Sequence, residues 1–526
     1  MNYAKLFNRA TTHQSMPIPG SGQVLNHAGG FVYEVDGWTV LDRFLILGSE
    51  AGTFYVAPQK LTQENAQNVL KLIHEDGERV VRRIVEVSVA GRAPKNDSAI
   101  FALGLCASFG NDRTRAEALL ALPSVCRTGT HLFQFAAVVD GLRGWGRGLR
   151  RAIGAWYNAK PVQELELQLV KYQQRDGWSN RDLLRLAHPK PESEAHRDLY
   201  KWVVSGADAP AGSKRIEAMQ RLKGMTDAAE AAKVITEARL PREAVPTELL
   251  NKAEVWEALM TDMPMTAMVR NLATMTRVGL LTPKSEATKT VKMRLADAER
   301  IPRARVHPMA LLFALRTYAS GHGLRGSAEW TPVTSIVDAL DSAFYLAFAN
   351  VEPTNKRYLL GMDVSGSMSN AFIAGTAMTA AEASAAMAMV TVATEEAVTP
   401  MAFSTIFTPL SLSKRMRLDQ ATNSMRGLPF AGTDCAQPMI YAMERKLPID
   451  VFVVYTDSET WHGMIHPSQA LVQYRQMMGI DAKLVVVGMT ATKFSIANPN
   501  DRGMLDVVGF DASVPSVMAE FVGGGR

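Results

Sequence analysis

Asp363, Ser365 and Ser367 occupy alternate positions, so on an extended segment their oxygen-bearing side chains turn toward one point. Two more oxygen donors stand later in the chain: Thr433 within Gly432-Thr433-Asp434, and Asp457 after the apolar run Val451 to Tyr455. Hard oxygens with two carboxylates and room for water suit Mg²⁺ better than zinc, which takes nitrogen and sulfur. Asp-x-Ser-x-Ser alone arises by chance in many loops, and its bland reading is that the hydroxyls cap the following helix. The combination with Gly-Thr-Asp and a later strand-end Thr-Asp is far more specific. Catalysis is disfavoured: an Asp-x-Asp phosphotransferase needs a second acid where this chain has Ser365, and no His stands beside Asp363. Gly206 to Lys214 lacks the spacing of a phosphate loop. The expected role is binding, not hydrolysis, with an acidic side chain or a phosphate oxygen completing the ion's shell.

The second chemistry is electrostatic. The formal charge of the 526 residues is only +5, but residues 355–526 hold 13 Lys+Arg against 15 Asp+Glu, which puts +7 on residues 1–354. From Gly141 to Gln163 no acid occurs, while Arg143, Arg147, Arg150, Arg151 and Lys160 surround Trp145, Trp156 and Tyr157. Arg147 with Arg150 or Arg151 falls at helical spacing, so one face can present a row of guanidinium groups. Charge runs are usually solvated faces, yet an acid-free run laced with aromatics favours phosphate and base contact. A second cluster runs from Lys171 to Lys190. Lys171 and Arg175 are expected on one helix face, Gly177 breaks the helix, and Ser179 with Asp182 forms a capping box for the next. Arg181, Arg185 and His188 then share a face. A third cluster comprises Arg300, Arg303, Arg305 and His307.

The elements that must position these groups follow two grammars. Up to Thr354, helical patterns succeed one another. One helix is expected from a Thr62 cap with Ala66, Val69, Leu70 and Ile73 on its buried stripe and a stop at Gly77; further runs span Glu78 to Gly91 and Ser98 to Phe109. Repeated helix pairs without strand alternation imply an α-solenoid of loose HEAT-like repeats. Near the start, Phe31–Val35 and Trp38–Val40 flank Asp36-Gly37, a hairpin signal. From Asn355 the pattern becomes strand, helix, strand. Tyr358–Asp363, Val451–Asp457 and Lys483–Gly488 are apolar runs with polar residues only at their ends, and an Ala-rich helix extends to about Thr394. Such runs indicate a parallel sheet covered on both faces, a doubly wound α/β domain whose ligands sit at the carboxyl ends of strands. Three scattered cysteines (Cys106, Cys126, Cys435) suit buried thiols in a reducing compartment. Met1 to Phe7 lacks the apolar core of a signal peptide, and the expected location is cytoplasmic, with no membrane partner.

The strand-end constellation resembles the metal-ion-dependent adhesion site of von Willebrand factor A domains. More widely, Leu41–Leu45, Cys126–Phe133, Lys171–Lys190, Met263–Ala267 with Arg270-Asn271-Leu272, Gly321–Gly326, Asp363–Ser367, Gly432–Cys435 and Asp501–Asp506 resemble signature segments of the Ro 60-kDa ribonucleoprotein family. The resemblance covers nearly the whole chain. It implies a TROVE module over 1–354, a ring of HEAT-like repeats, closed by a von Willebrand factor A-like domain over 355–526. It further implies a non-catalytic protein that binds small structured non-coding RNA of the Y type on an outer basic face and takes misfolded RNA by its single-stranded 3′ end in a central hole, in RNA quality control. Lys171, Arg175 and His188 match the family's Y-RNA-contacting positions, and Asp363, Ser365, Ser367, Thr433 and Asp457 its metal site. The exoribonuclease polynucleotide phosphorylase is a partner of bacterial relatives. Two departures stand out: Asn180 replaces a His frequent in relatives, and Gly366 replaces an Ala. The competing expectation is a metal-dependent protein-interaction scaffold without RNA specificity.

Overall fold

Helix follows helix from Gly37 to Leu346, and a mixed sheet with helices on both faces follows from Arg357. The computed structural model describes residues 11–49, 53, 55–304, 306–323, 327–348, 351–373, 378–414, 416–425, 428, 431–511 and 513–523. The Met1–Phe7 segment, Arg305, Leu324-Arg325-Gly326 and part of the Ala-rich run lie outside the described residues.

Two short strands, β1 (Val24–Leu25) and β2 (Phe31–Glu34), precede the helices, and a two-stranded hairpin, β3 (Gln174–Arg175) and β4 (Trp178–Ser179), interrupts them. The α/β domain contains β5 (Arg357–Asp363), β6 (Ala397–Phe403), β7 (Phe407–Pro409), β8 (Val451–Thr456), β9 (Lys483–Gly488), the short β10 (Phe494–Ser495) and β11 (Met504–Val508). Its sheet order is β11-β9-β8-β5-β6-β7, parallel except for the β7 edge. The chain leaves β5 toward β6 on one side and returns at β8 on the other. The crevice between the ends of β5 and β8 is therefore the topological switch point.

Alternation along the strands divides the core. Tyr358, Leu360, Met362, Val453, Tyr455, Val485 and Val487 join the apolar cluster that continues into the helical region. Leu359, Phe452, Val454, Leu484 and Val486 face a second cluster beneath helices Gln437–Glu444 and Pro467–Met478. In the helical region neighbours pack in pairs, among them Pro58–Ala90 with Asp97–Phe109 and Pro308–Ser320 with Thr334–Leu346. The three cysteines are buried, and burial pushes the Cys106 thiol up to about 12, so they pack as small apolar groups. Among the described residues no helix is long and apolar enough to cross a membrane.

Several local expectations change. The Asp36-Gly37 hairpin does not form: Asp36 caps the helix Gly37–Leu47, its Oδ1 accepting the Thr39 N–H at 2.7 Å, and the helix buries Val40, Leu41, Phe44 and Leu47. Strand β2 pairs instead with β1 and with β10 of the α/β domain. Thr62 is not a cap; helix Pro58–Ala90 starts four residues earlier, and the expected break at Gly77 is a kink, with Asp76 at φ −155°, ψ 76°. The Ala-rich helix begins at Ala380, where Thr379 and Glu382 form a capping box. Strand β6 adds to the expected strands, with Pro400 interrupting its apolar run. The Pro400 carbonyl accepts Leu410 N, so its missing N–H faces the same edge, just past the three-residue β7 ladder.

Both ends of the helical run dock on the α/β domain and close the ring. At the N-terminal end the guanidinium of Arg43, fully buried, donates to both Asp506 carboxylate oxygens at 2.7 Å and to the carbonyls of Thr492 and Phe494 at 2.7 and 2.6 Å. Arg92 adds the Val508 carbonyl at 2.9 Å and Ser513 Oγ at 3.0 Å. At the C-terminal end Arg316 pairs with Glu382, Arg417 with Asp338, and Leu418 N donates to Asp341 at 2.6 Å. Replacing Arg43 with Ala removes the counter-charge of Asp506, leaving it only the Ser495 hydroxyl at 2.5 Å, and takes a donor from two carbonyls. The expected loss is about 3 kcal/mol, seen as a lower urea midpoint. An unchanged midpoint would show that closure does not depend on this pair.

Candidate functional site

At the switch point Asp363 closes β5 and Asp457 follows β8. Asp363 Oδ1 accepts Ser365 N at 2.9 Å, its Oδ2 accepts the Thr456 hydroxyl at 2.6 Å, and Ser365 Oγ lies 3.0 Å from Ser367 Oγ. The Ser367 hydroxyl also bonds Asp457, and Asp457 Oδ1 accepts Glu459 N at 3.1 Å. The Thr433 carbonyl holds Trp461 N at 3.1 Å and His462 N at 3.0 Å, which ties its loop to the chain leaving β8. Asp363, Ser365, Ser367, Thr433 and Asp457 are all buried. The hydroxyls do not cap the following short helix, whose Ser365 cap makes no side-chain bond to it.

Among the described residues no Lys, Arg or His pairs with Asp363 or Asp457. Burial raises the Asp363 carboxyl to about 6. Asp457 is pushed further up by burial and by the neighbouring charges of Asp363 and Glu459. Asp457 Oδ2 and Ser458 Oγ are buried without a hydrogen-bond partner. Two uncompensated carboxylates, an orphaned oxygen and flanking hydroxyls are what a hard divalent cation satisfies. Among the described residues no three His, Cys, Asp or Glu converge, so the donor set is not a zinc-type centre.

Residues from the start of the chain clamp this site, and local spacing gave no sign of it. Gln14 Nε2 donates to Asp434 Oδ1 and to the Ile465 carbonyl at 2.7 Å each. Asn26 Nδ2 reaches the carbonyls of Ser458 and Thr460 at 3.2 and 2.8 Å. His27 Nδ1 lies 2.7 Å from the buried Glu459, whose other oxygen accepts Ala28 N. Gly30 is required, because a Cβ there would collide with the Thr460 carbonyl. Burial and the charges of Asp457, Glu459 and Asp363 raise the Tyr55 phenol to about 12.

The basic clusters meet elsewhere. Helix Arg147–Asn158 packs against helix Asn180–Ala187, with Leu149, Ile153, Leu183 and Leu184 buried and Arg147, Arg150, Arg151, Arg181 and Arg185 exposed. Gly154 lets Pro189 approach, a Cβ there meeting its ring at 3.2 Å, and Asn158 Nδ2 holds the Lys190 carbonyl at 2.7 Å. The Ser179–Asp182 capping box is present. His188 is exposed at the helix end in the left-handed conformation, φ +45°, a position usually given to glycine.

Three expectations about these clusters are corrected. Lys171 and Arg175 do not share a helix face: the helix Val162–Lys171 ends at Lys171, and Arg175 projects from the β3–β4 hairpin across an Asp176-Gly177 turn with positive φ at both residues. Trp156 and Tyr157 are buried, with Trp156 Nε1 on the Cys126 carbonyl and the Tyr157 hydroxyl on Asn180 Oδ1; they support the face instead of meeting bases. Asn180 is thus a buried strut, also donating to the Tyr172 carbonyl at 2.6 Å. In the third cluster His307 is buried, capping Met309 N and reaching the Arg92 carbonyl at 3.0 Å, and Arg303 is engaged by Glu299.

A helical ring closed by a von Willebrand factor A-type domain, with an acidic strand-end crevice and a separate basic helix pair, defines the class. The TROVE domain model matches residues 24–233 and 206–317, and the Ro60 vWA domain model residues 357–522. The chain is 46% identical over 509 residues to RNA-binding protein RO60 of Deinococcus radiodurans, covering 95% of this chain and 96% of that relative. It is 37% identical over 584 residues to RNA-binding protein RO60 of Caenorhabditis elegans, covering 96% and 90%. The crystal structure of the D. radiodurans Ro (RSR) protein superposes with a TM-score of 0.71 at 44% identity, covering 93% of this chain and 100% of that one. The chain belongs to the Ro60 family.

The crevice makes a pH prediction. Asp363 holds its proton more tightly folded than unfolded, so without a divalent cation it removes stability as pH rises from about 4 through about 6. In chelator, the unfolding free energy of Asp363→Asn relative to the unsubstituted chain should therefore increase between about pH 4 and 7. A difference that does not change with pH would contradict this electrostatic account.

Proposed function

We propose that this chain is a non-catalytic RNA-binding ring that holds a small structured non-coding RNA of the Y type on the face built from Lys171, Arg175, Arg181, Arg185 and His188, extended by Arg147, Arg150 and Arg151. The observation that carries this reading is the packing of two helices whose apolar seam is internal and whose exposed residues are mostly arginine: Arg147, Arg150, Arg151, Arg181 and Arg185, beside Gly148, Ala155 and the capping Asp182. It is strengthened by kinship with relatives named as RNA-binding proteins. Guanidinium groups supply bidentate phosphate contacts, and His188 supplies a ring for an unstacked base. Misfolded RNA entering by a single-stranded 3′ end is the second substrate class, with RNA quality control in the cytoplasm as the setting and polynucleotide phosphorylase as a processing partner.

In the same reading Asp363, Ser365, Ser367, Thr433 and Asp457 hold Mg²⁺. The ion neutralises two buried carboxylates and offers a coordination position to an acidic ligand. Around it His27 lies 2.7 Å from Glu459, while Gln14 and Asn26 fix the loops that carry the donors. The orphaned Asp457 oxygen favours a second, compatible role for this domain as a metal-dependent protein-interaction module.

Replacing Lys171, Arg175 and His188 together with Ala should abolish retardation of the small RNA in a gel shift. Replacing only Lys171 and Arg175 should make the slope of log affinity against log salt shallower by about 2. Unchanged affinity would overturn the assignment of this face. Mg²⁺ should raise the Tm of the unsubstituted chain but not that of Asp363→Ala, and the latter should still bind RNA. An equal Tm shift in both would remove the ion from this crevice.

A further inference from the structure

Beside the basic face lies a cavity of about 280 Å³ where six helical elements meet. Its floor is apolar, built by Ile235, Leu240, Leu259 and Ala267, and its rim is cationic, with Lys171, Arg215, Arg239 and Arg242 outnumbering Glu243 and Asp262. The volume suits one nucleotide, and the combination of an apolar floor with a guanidinium rim separates a base from its phosphate. Lys171 belongs to both the cavity and the proposed RNA face, so the two surfaces are continuous.

Two features set this rim apart from an ordinary solvated charge run. Arg239 ends the helix Ala228–Ala238 in the left-handed conformation, φ +50°, ψ 53°, where glycine is the usual occupant, and its side chain stays 70% exposed beside Asp262 at 3.5 Å. It repeats the arrangement of His188, a second exposed non-glycine side chain carried on a left-handed helix end. Arg215 is tethered by Glu166 at 3.4 Å and the Gln163 carbonyl at 3.3 Å, yet its Nε is buried without a hydrogen-bond partner. Asn271, also on the wall, has its amide fixed by the Ala267 carbonyl at 2.8 Å, a held polar group against which a base edge can be read.

We infer that this cavity receives a single ribonucleotide turned out of the RNA held on the Lys171 face, its base on the apolar floor and its phosphate against Arg239 and Arg242. This rests on the proposed RNA-binding role. A nucleotide in the cavity has two sources, the bound RNA or a free mononucleotide, and the experiment separates them. AMP and UMP are titrated into the full chain by isothermal calorimetry and NMR, and RNA affinity is measured by gel shift for Arg239→Gly and Ala267→Phe. Arg239→Gly removes the guanidinium and relieves the left-handed backbone, so its Tm should hold or rise; Ala267→Phe fills the floor. Each variant should weaken RNA binding about tenfold, the size of one charge-assisted contact, and abolish mononucleotide binding. Loss of mononucleotide binding with RNA affinity unchanged would mean that the cavity serves free nucleotide, and would overturn the extruded-base assignment. Absence of mononucleotide binding together with unchanged RNA affinity would overturn the site altogether. If the unsubstituted chain binds no RNA, the RNA-binding reading itself fails, whatever the mononucleotide titration gives.

Discussion

The Arg43 guanidinium is the point on which the architecture turns. It comes from the first helix of the ring and is buried under the last strands of the α/β domain, with four acceptor oxygens from Asp506, Thr492 and Phe494 around it. A charge carried out of water at that cost persists only where its acceptors are fixed. It fixes in turn where residues 11–36 lie, because the helix carrying Arg43 continues directly from strand β2, which pairs with β10. From that placement follows the clamp of Gln14, Asn26 and His27 over the crevice between β5 and β8. The closure of the ring and the geometry of the acidic crevice are thus one constraint expressed twice.

The two chemistries are kept apart by the same closure. The acidic crevice lies inside the α/β domain with its carboxylates buried, whereas the basic face is carried on helices 147–158 and 180–187 with its cations in water. Separation matters because two uncompensated carboxylates beside the arginine row would offset its positive field. Within the basic face the division of labour is equally physical. Trp156, Tyr157 and Asn180 interlock beneath it, Tyr157 donating at 2.7 Å, and leave the outward positions to Arg. The left-handed ends at His188 and Arg239 hold exposed non-glycine side chains at the cost of backbone comfort.

The parts of this molecule legible in sequence were those whose signal is local. Unbroken apolar runs marked β5, β8 and β9, and Ser179-x-x-Asp182 marked a helix start. Asp363, Ser365 and Ser367 do converge, but not by alternation along an extended segment, since β5 ends at Asp363 and Ser367 lies in the short helix Gly366–Asn370. Illegible were features set by contacts between distant segments. The Asp36-Gly37 dipeptide carries a genuine turn preference, but the burial of Val40, Leu41 and Phe44 favoured a helix instead. Trp156 and Tyr157 looked like base-stacking groups because composition shows aromatics beside arginines without saying which side of the helix each occupies. The His27–Glu459 pair spans 432 residues, and no spacing rule reaches that far. Pro400 hid β6, since only the sheet order shows that its missing N–H lies where no ladder partner needs it.

The central claim is that RNA lies on the Lys171–His188 face and not on the α/β domain. Ultraviolet crosslinking of the full chain to the RNA that copurifies with it, followed by mass spectrometry of the crosslinked peptides and sequencing of the RNA, tests this most directly. The account predicts one defined structured RNA with crosslinks concentrated between residues 145 and 190. Crosslinks confined to the α/β domain, or only a random background of RNA, would contradict it.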